Sequence, residues 1–505
     1  MPQLTRSRAL SAVRPRRRAI ADERYKWWAL SCTSLGMLLA TINSGTLIIA
    51  LPDLERSLHT SLLELVWVIL VYMIASTVLV LSAGRLSDQF GRKQAYIGGF
   101  VLFAAASLGA GFAANGTQLI LWRIVQGLGG AFLFANAAAI VTDAFPREQL
   151  GLAMGTNTMV AAVGLVIGPV LGGALVAIKW PWVFWFNVPL ALLGSLWAGL
   201  ILRELTGRDE DTRFDFAGTV TFLVGLTGLV LGISKGGISG WNHPVVVGGL
   251  IAAVVLMPAF VVIERHHAAP MLDLTIFKNR LFSAASAAAF INGLARFALM
   301  FVFVFYFQGV QGNSPILAGI KLAPLAVGML ISSPLAGLWA DRRGSRGMAV
   351  LGMLVTALGL ALMTTLGRDT TYVASGAYMF IVGLGSGMFN SPNTAAMMGT
   401  VAAHRRGIAA GARVLVQNTG AVISIAFVLA VVTSSVPKTV LFKVFSGLAN
   451  HISNAQLVPF ISNMHTALWC LAAVSVLGAF VAAARPKHVS QAVDGPEIAE
   501  VKAAA

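Results

Sequence analysis

Fourteen apolar runs of about 20 residues, separated by short polar or charged segments, set the pattern of this chain. They lie near 27–51, 61–83, 94–115, 117–140, 152–178, 181–202, 215–234, 244–263, 282–308, 315–338, 347–366, 371–398, 406–432 and 463–484. A helix of about 20 residues matches the hydrocarbon thickness of a bilayer, so each run predicts a spanning helix. The expected class is an all-α polytopic membrane protein, and an even number of spans puts both termini on one side. The first run carries an interruption, "ATINSGTLIIALP" at 40–52, where Thr41, Asn43, Ser44, Gly45 and Thr46 break the apolar stretch.

Composition supports the same class. The chain has 505 residues, 57% hydrophobic and only 11% charged, against about 25% charged in soluble domains. Its net charge of +16 fits basic loops held against anionic lipid, and no zinc, helix-turn-helix or RNA-recognition signature points to nucleic acid. The first 26 residues hold eight Lys or Arg and no apolar core, which reads as a basic tail and not a cleaved signal. With that tail inside, the cytoplasmic segments hold 26 Lys or Arg and the outer loops six. The positive-inside rule then places both termini in the cytoplasm. Cys32 and Cys470 lie in apolar runs at opposite ends of the chain and form no metal or disulfide spacing.

An internal repeat divides the chain. "GRLSDQFGRK" at 84–93 follows the second span, and "GLWADRRGSR" at 337–346 follows the tenth. Gly84 pairs with Gly337, Asp88 with Asp341, Gly91 with Gly344 and Lys93 with Arg346, all at an offset of 253. The architecture is then six plus two plus six spans. Its expected parts are a tail (1–26), an N-terminal bundle (27–204), two extra helices (205–268), a C-terminal bundle (269–484, outer loop 433–462) and a tail (485–505). The loop glycines permit tight turns, while Asp88, Arg92, Lys93, Arg342 and their partners can form a charge-assisted latch. The alternative is that these charges only anchor topology.

Ionisable groups inside spans cost roughly 2.5–3.5 kcal/mol each on insertion scales, so each requires a reason. Four cations lie there: Arg123, Arg296, Lys321 and Arg413. Lys321 is close enough to a span end to snorkel. Arg413, with Gln417 one turn deeper, can snorkel or line a cavity. Arg123 has Gln126 at i+3 on the adjoining face, which fits a structural hydrogen-bond hub tying helices together. Arg296 falls mid-span, with Asn292 one turn below and Phe303 two turns above, and is expected to face a cavity or a buried partner. No carboxylate sits clearly inside a span; Glu64 is the nearest. Trp67, Tyr72, Asn157, Tyr306, Gln308, Asn390 and Asn393 complete a mixed set. Singly they fit helix packing; together they suit bulky amphipathic ligands.

The chain resembles the major facilitator superfamily, and within it the fourteen-helix drug:proton antiporter branch. "GRLSDQFGRK" resembles the signature between its helices 2 and 3, and "LWRIVQGLGGA" at 121–131 its helix-4 motif, a resemblance that implies a role for Arg123 in proton movement or its coupling to substrate. "GLVIGPVLGG" at 164–173 is similar to the helix-5 antiporter motif, with Gly164, Gly168, Pro169, Gly172 and Gly173 in register. "WVFWFNVP" and "PMLDLTIFKNRLF" resemble stretches of that branch. The resemblance implies the major facilitator fold, with two six-helix bundles plus two central helices. It also implies export of hydrophobic, drug-like molecules by alternating access, driven by inward proton flow in the plasma (inner) membrane. Aligned on Ala-Leu-Pro, Asn43 stands where the family commonly has an Asp, with Thr46 at i+3 on its face. An amide cannot carry the proton that a carboxylate could.

No P-loop, HExxH or Gly-x-Ser-x-Gly motif occurs. No enzyme activity, cofactor or metal is expected, and a monomer is. The expected partners are a hydrophobic small molecule, the bilayer and protons. The competing readings are carriage of a lipid-like or anionic metabolite without classical proton antiport, and a non-transporting scaffold or sensor.

Overall fold

Helix follows hydropathy throughout the described residues of the computed structural model, which are 23–146, 149–204, 215–267, 270–401, 406–434, 436–445 and 453–485. Among them are fourteen helices long and apolar enough to cross a membrane, and no strand. Closed hydrogen bonding within each helix is what lets a backbone enter lipid. In chain order the helices are α1 (Glu23–Leu58), α2 (Leu62–Phe90), α3 (Arg92–Gly111), α4 (Gly116–Ala144) and α5 (Leu150–Ile178), then α6 (Trp182–Trp185) and α7 (Asn187–Ile201). They continue as α8 (Phe216–Ser239), α9 (Pro244–His266), α10 (Arg280–Phe305), α11 (Pro315–Arg343) and α12 (Ser345–Met363). The last are α13 (Tyr372–Gly399), α14 (Arg406–Thr433), α15 (Lys438–Phe445) and α16 (Asn454–Ala483).

The first helix runs beyond its predicted 27–51 at both ends, with Pro52 inside its last turns. The sixth span is broken into α6 and α7, because Pro189 lacks the N–H that would bond one turn back at Trp185. The ninth span ends in a π turn, Tyr306–Val310.

The chain divides into two compact units between Thr219 and Val220, within α8. In the first unit α1 packs on α5, α2 and α3 pack on α4, and α3 packs on α7. The α1–α5 contact is backbone to backbone. A Cβ on Gly45 would lie 3.0 Å from Gly168 Cα, and one on Gly172 would lie 2.6 Å from Thr46 Cα. This is the close approach that the glycine stripe allows, and Pro169 sits inside it. An apolar core of Tyr96, Phe100, Phe103 and Leu133 fills the bundle.

In the second unit α11 and α12 pack on α13, α10 packs on α14, and α12 packs on α16. Here the short α15 turns Leu441, Val444 and Phe445 inward, with the Phe445 ring 4.1 Å from that of Phe305. The apolar stretch of loop 433–462 therefore covers the end of α10.

The two repeated loops share one device. Gly91 has φ +102° and Gly344 φ +85°, a left-handed region that L side chains rarely adopt. Each caps the preceding helix: Gly91 N–H donates to Ser87 O at 2.9 Å, and Gly344 N–H to Ala340 O at 2.8 Å.

Candidate functional site

Three donors from two helices converge on one amide oxygen in the first unit. Asn43 Oδ1, on α1, accepts from Gln126 Nε2 at 3.2 Å, Asn187 Nδ2 at 3.4 Å and Arg123 Nη1 at 3.5 Å. Asn43 and Arg123 are each 1% exposed. Arg123 also donates from Nε to Val68 O at 2.9 Å and from Nη1 to Gln126 Oε1. Its guanidinium lies over the Tyr72 ring, 4.2 Å from the centroid, and Gln126 Nε2 donates onward to Ser107 Oγ at 2.7 Å. Helical spacing explains the arrangement, since Arg123 and Gln126 at i,i+3 share one face of α4.

The hub is rich in donors and short of acceptors. An amide oxygen has two lone pairs and here meets three donors, while Asn43 Nδ2 is buried without a hydrogen bond. Among the described residues no carboxylate lies within ion-pairing distance of Arg123. Charge is dispersed instead through hydrogen bonds and the face of Tyr72, which suits a desolvated guanidinium.

Ion pairs gather at the α2–α3 loop. Arg92 bridges Asp88 at 2.9 Å and Asp143 at 2.5 Å, joining α2, α3 and α4. Glu204 accepts the backbone N–H groups of Arg92 at 3.0 Å and Lys93 at 3.2 Å, satisfying orphan donors at the start of α3. Lys93 Nζ donates to Gly199 O at 2.8 Å. In the second loop Arg343 lies over Trp339, with 5.6 Å to the centroid, and Arg342 is exposed. The side chain of Asp341 lies outside the described residues.

In the second unit the polar groups form separate sets. Arg413 donates to Gln417 Oε1 at 3.1 Å, and Gln417 Nε2 to Asn390 Oδ1 at 3.0 Å, a chain linking α14 to α13. Lys321 reaches Asn313 Oδ1 at 3.0 Å and Gln311 Oε1 at 3.3 Å near the start of α11. On α10, Asn292 Nδ2 and Arg296 Nη1 both donate to thioether sulfurs, Met353 at 3.5 Å and Met329 at 3.4 Å. Asn393 accepts from Arg485 Nη2 at 2.5 Å.

Several predicted residues take other positions. Glu64 caps α2 through Ser61 and accepts from Thr117, with no bond to the Asn43 hub. Asn157 bonds Thr33 and Ser34 on α1. Thr46 bonds back to Asn43 O. Phe303 and Tyr306 join an aromatic cluster where α10 ends, and Tyr306 donates to Gly367 O at 2.7 Å. Gln308 is buried in the π turn and Trp67 is half-buried.

Asn187, Ser107 and Arg485 were not anticipated. The first two are lone polar residues in apolar runs. Arg485 is a tail residue by sequence, yet it is 1% exposed against α13. Lying outside the spans, its guanidinium is pulled down to about 10 by burial.

A membrane-spanning, all-helical bundle with paired loop devices and a buried polar hub has the build of a transporter. Residues 33–425 match the Major Facilitator Superfamily, and the chain belongs to that superfamily. It is 29% identical to the multidrug transporter protein MdtP of Bacillus subtilis, over 85% of this chain and 78% of that protein. It is 32% identical to the puromycin resistance protein pur8 of Streptomyces alboniger, over 81% and 82%. It is 30% identical to the tetracenomycin C resistance and export protein of Streptomyces glaucescens, over 76% and 72%. In fold it is similar to a bacterial homologue of the human lysosomal transporter Spinster, with TM-score 0.67 and 15% identity over 93% of this chain and 99% of that one.

Proposed function

We propose that this protein is a secondary active exporter of hydrophobic or amphipathic, drug-like small molecules. The observation that carries the reading is its 29–32% identity, over most of its length, to relatives named for multidrug and antibiotic resistance or export. In this reading the two bundles alternate access across the bilayer as a monomer. Both termini and the 84–93 and 337–346 loops are cytoplasmic, in the plasma membrane. Arg92 with Asp88 and Asp143 acts as the N-terminal half of the cytoplasmic latch. The Asn43–Arg123–Gln126 hub couples helix movement to inward proton flow, and Tyr72, Asn187 and Ser107 hold it in place. Asn43 cannot itself carry the proton.

Asn43 also favours a second reading, in which transport proceeds without classical proton antiport. Reconstitution into proteoliposomes with an imposed pH gradient tests both. Gradient-driven accumulation of a hydrophobic drug supports proton antiport. Flux that is unchanged when the gradient is collapsed sinks antiport and leaves the second reading.

A further inference from the structure

Of the four cations placed inside spans, three reach oxygen acceptors: Arg123 bonds Val68 O and Asn43 Oδ1, Lys321 bonds Asn313 Oδ1, and Arg413 bonds Gln417 Oε1. Arg296 does not. Near the middle of the Arg280–Val310 span, its Nη1 meets only Met329 Sδ at 3.4 Å, and its Nε is buried with no hydrogen bond. The ring of Phe297 lies 4.4 Å from the guanidinium carbon. The residue is 7% exposed, and among the described residues no carboxylate pairs with it.

A thioether is a weak acceptor, and a desolvated guanidinium without an oxygen partner or counter-ion is strongly disfavoured. Position excludes the usual escape, because the side chain cannot reach either membrane surface from mid-span. Its neighbourhood repeats the deficiency. Asn292, one turn earlier on the same face of α10, donates only to Met353 Sδ and leaves Oδ1 unbonded. Ser332, three residues along α11 from Met329, keeps a buried hydroxyl with no partner. Methionine side chains are unbranched and repack readily, so Met329 can yield its place to a better acceptor.

We infer that Arg296 is the head-group site for an anionic amphiphile, whose carboxylate, sulfonate or phosphate replaces the Met329 sulfur while its apolar body packs on methionine and phenylalanine side chains. This rests on the exporter reading and narrows its substrate class. A charge-assisted, bidentate contact is the strongest bond a guanidinium makes.

The test uses full-length protein in nanodiscs and three fluorescent probes with one apolar body: pyrenebutyrate, its primary carboxamide and the corresponding primary amine. Wild type is expected to bind the carboxylate at least about tenfold more tightly than the other two. Arg296→Met is expected to erase that preference to within about twofold while still binding the carboxamide, and Arg296→Lys to retain part of it. Equal binding of carboxylate and carboxamide by wild type, or a preference that survives in Arg296→Met, overturns the site. Proteoliposome flux of the same probes separates the two claims. Carboxylate preference in binding without flux of any probe sinks the exporter reading and leaves the anion site standing.

Discussion

Asn187 Nδ2 reaches Asn43 Oδ1 at 3.4 Å, across 144 positions of sequence, and ties the seventh helix to the first at the level of Arg123. The contact makes Asn43 a shared acceptor for donors from two helices, α4 and α7, and its chemistry sets the first expected outcome.

Asn43→Asp supplies a second acceptor oxygen and a negative charge to a site crowded with donors. The variant should fold, gain thermal stability and make transport more steeply pH-dependent. Asn43→Leu strands Arg123, Gln126 and Asn187, and should lose about 1–3 kcal/mol. Thermal unfolding of purified protein with proteoliposome flux at pH 6 and 8 checks both. A destabilised Asp variant would show that the hub requires a neutral amide.

Substituting Gly172 tests the α1–α5 contact. A methyl there must displace the Thr46 backbone, so Gly172→Ala should cost about 1–3 kcal/mol. Gly98 has open space at its Cβ, so Gly98→Ala should gain about 0.5–1 kcal/mol from helix propensity alone. The two melting temperatures should move in opposite directions.

Arg92 serves Asp88 and Asp143 together, so its losses should not add. Arg92→Ala and Asp143→Asn should each slow transport, and the double variant should be little worse than the worse single one. A double-mutant cycle should return a coupling of about 0.5–3 kcal/mol. Additive losses would mean that the bridge is incidental.

Arg485 and Asn393 form a buried pair in which Asn393 provides the oxygen. Asn393→Leu should cost about 1.5–3 kcal/mol, and adding Arg485→Met should recover most of it. The sign with pH follows from the pKa of about 10, which burial holds below that of a free guanidinium. The folded state releases the proton first, so stability rises with pH only above roughly 10. Between pH 6 and 9 the group stays charged, and the Asn393→Leu loss should be flat. Unfolding midpoints at three pH values check this.

The fourteen spans were legible because hydropathy alone governs entry into lipid. The paired loops were legible because a left-handed turn demands glycine at Gly91 and again at Gly344. Arg123 with Gln126, and Arg413 with Gln417, were readable as helical neighbours. Asn187 and Ser107 were not, since nothing local distinguishes a lone amide or hydroxyl that meets its partner across helices. Arg485 was hidden for a related reason: its charge suggested solvent, and only tertiary packing buries it. Glu64 looked like a spare acid, but Ser61 three residues earlier makes it a helix cap.

The seam where Gly45 faces Gly168 and Thr46 faces Gly172 leaves no side-chain layer between α1 and α5. Two helices in backbone contact have no cushion through which one could slide or tilt alone. They form a single plank, and Asn43 is nailed to it two residues from Gly45. A spectroscopic label on the exposed side of α5, at Ile167 for instance, would therefore report the travel of Asn43 without touching the hub. The seam thus doubles as a ruler for following this bundle through its cycle.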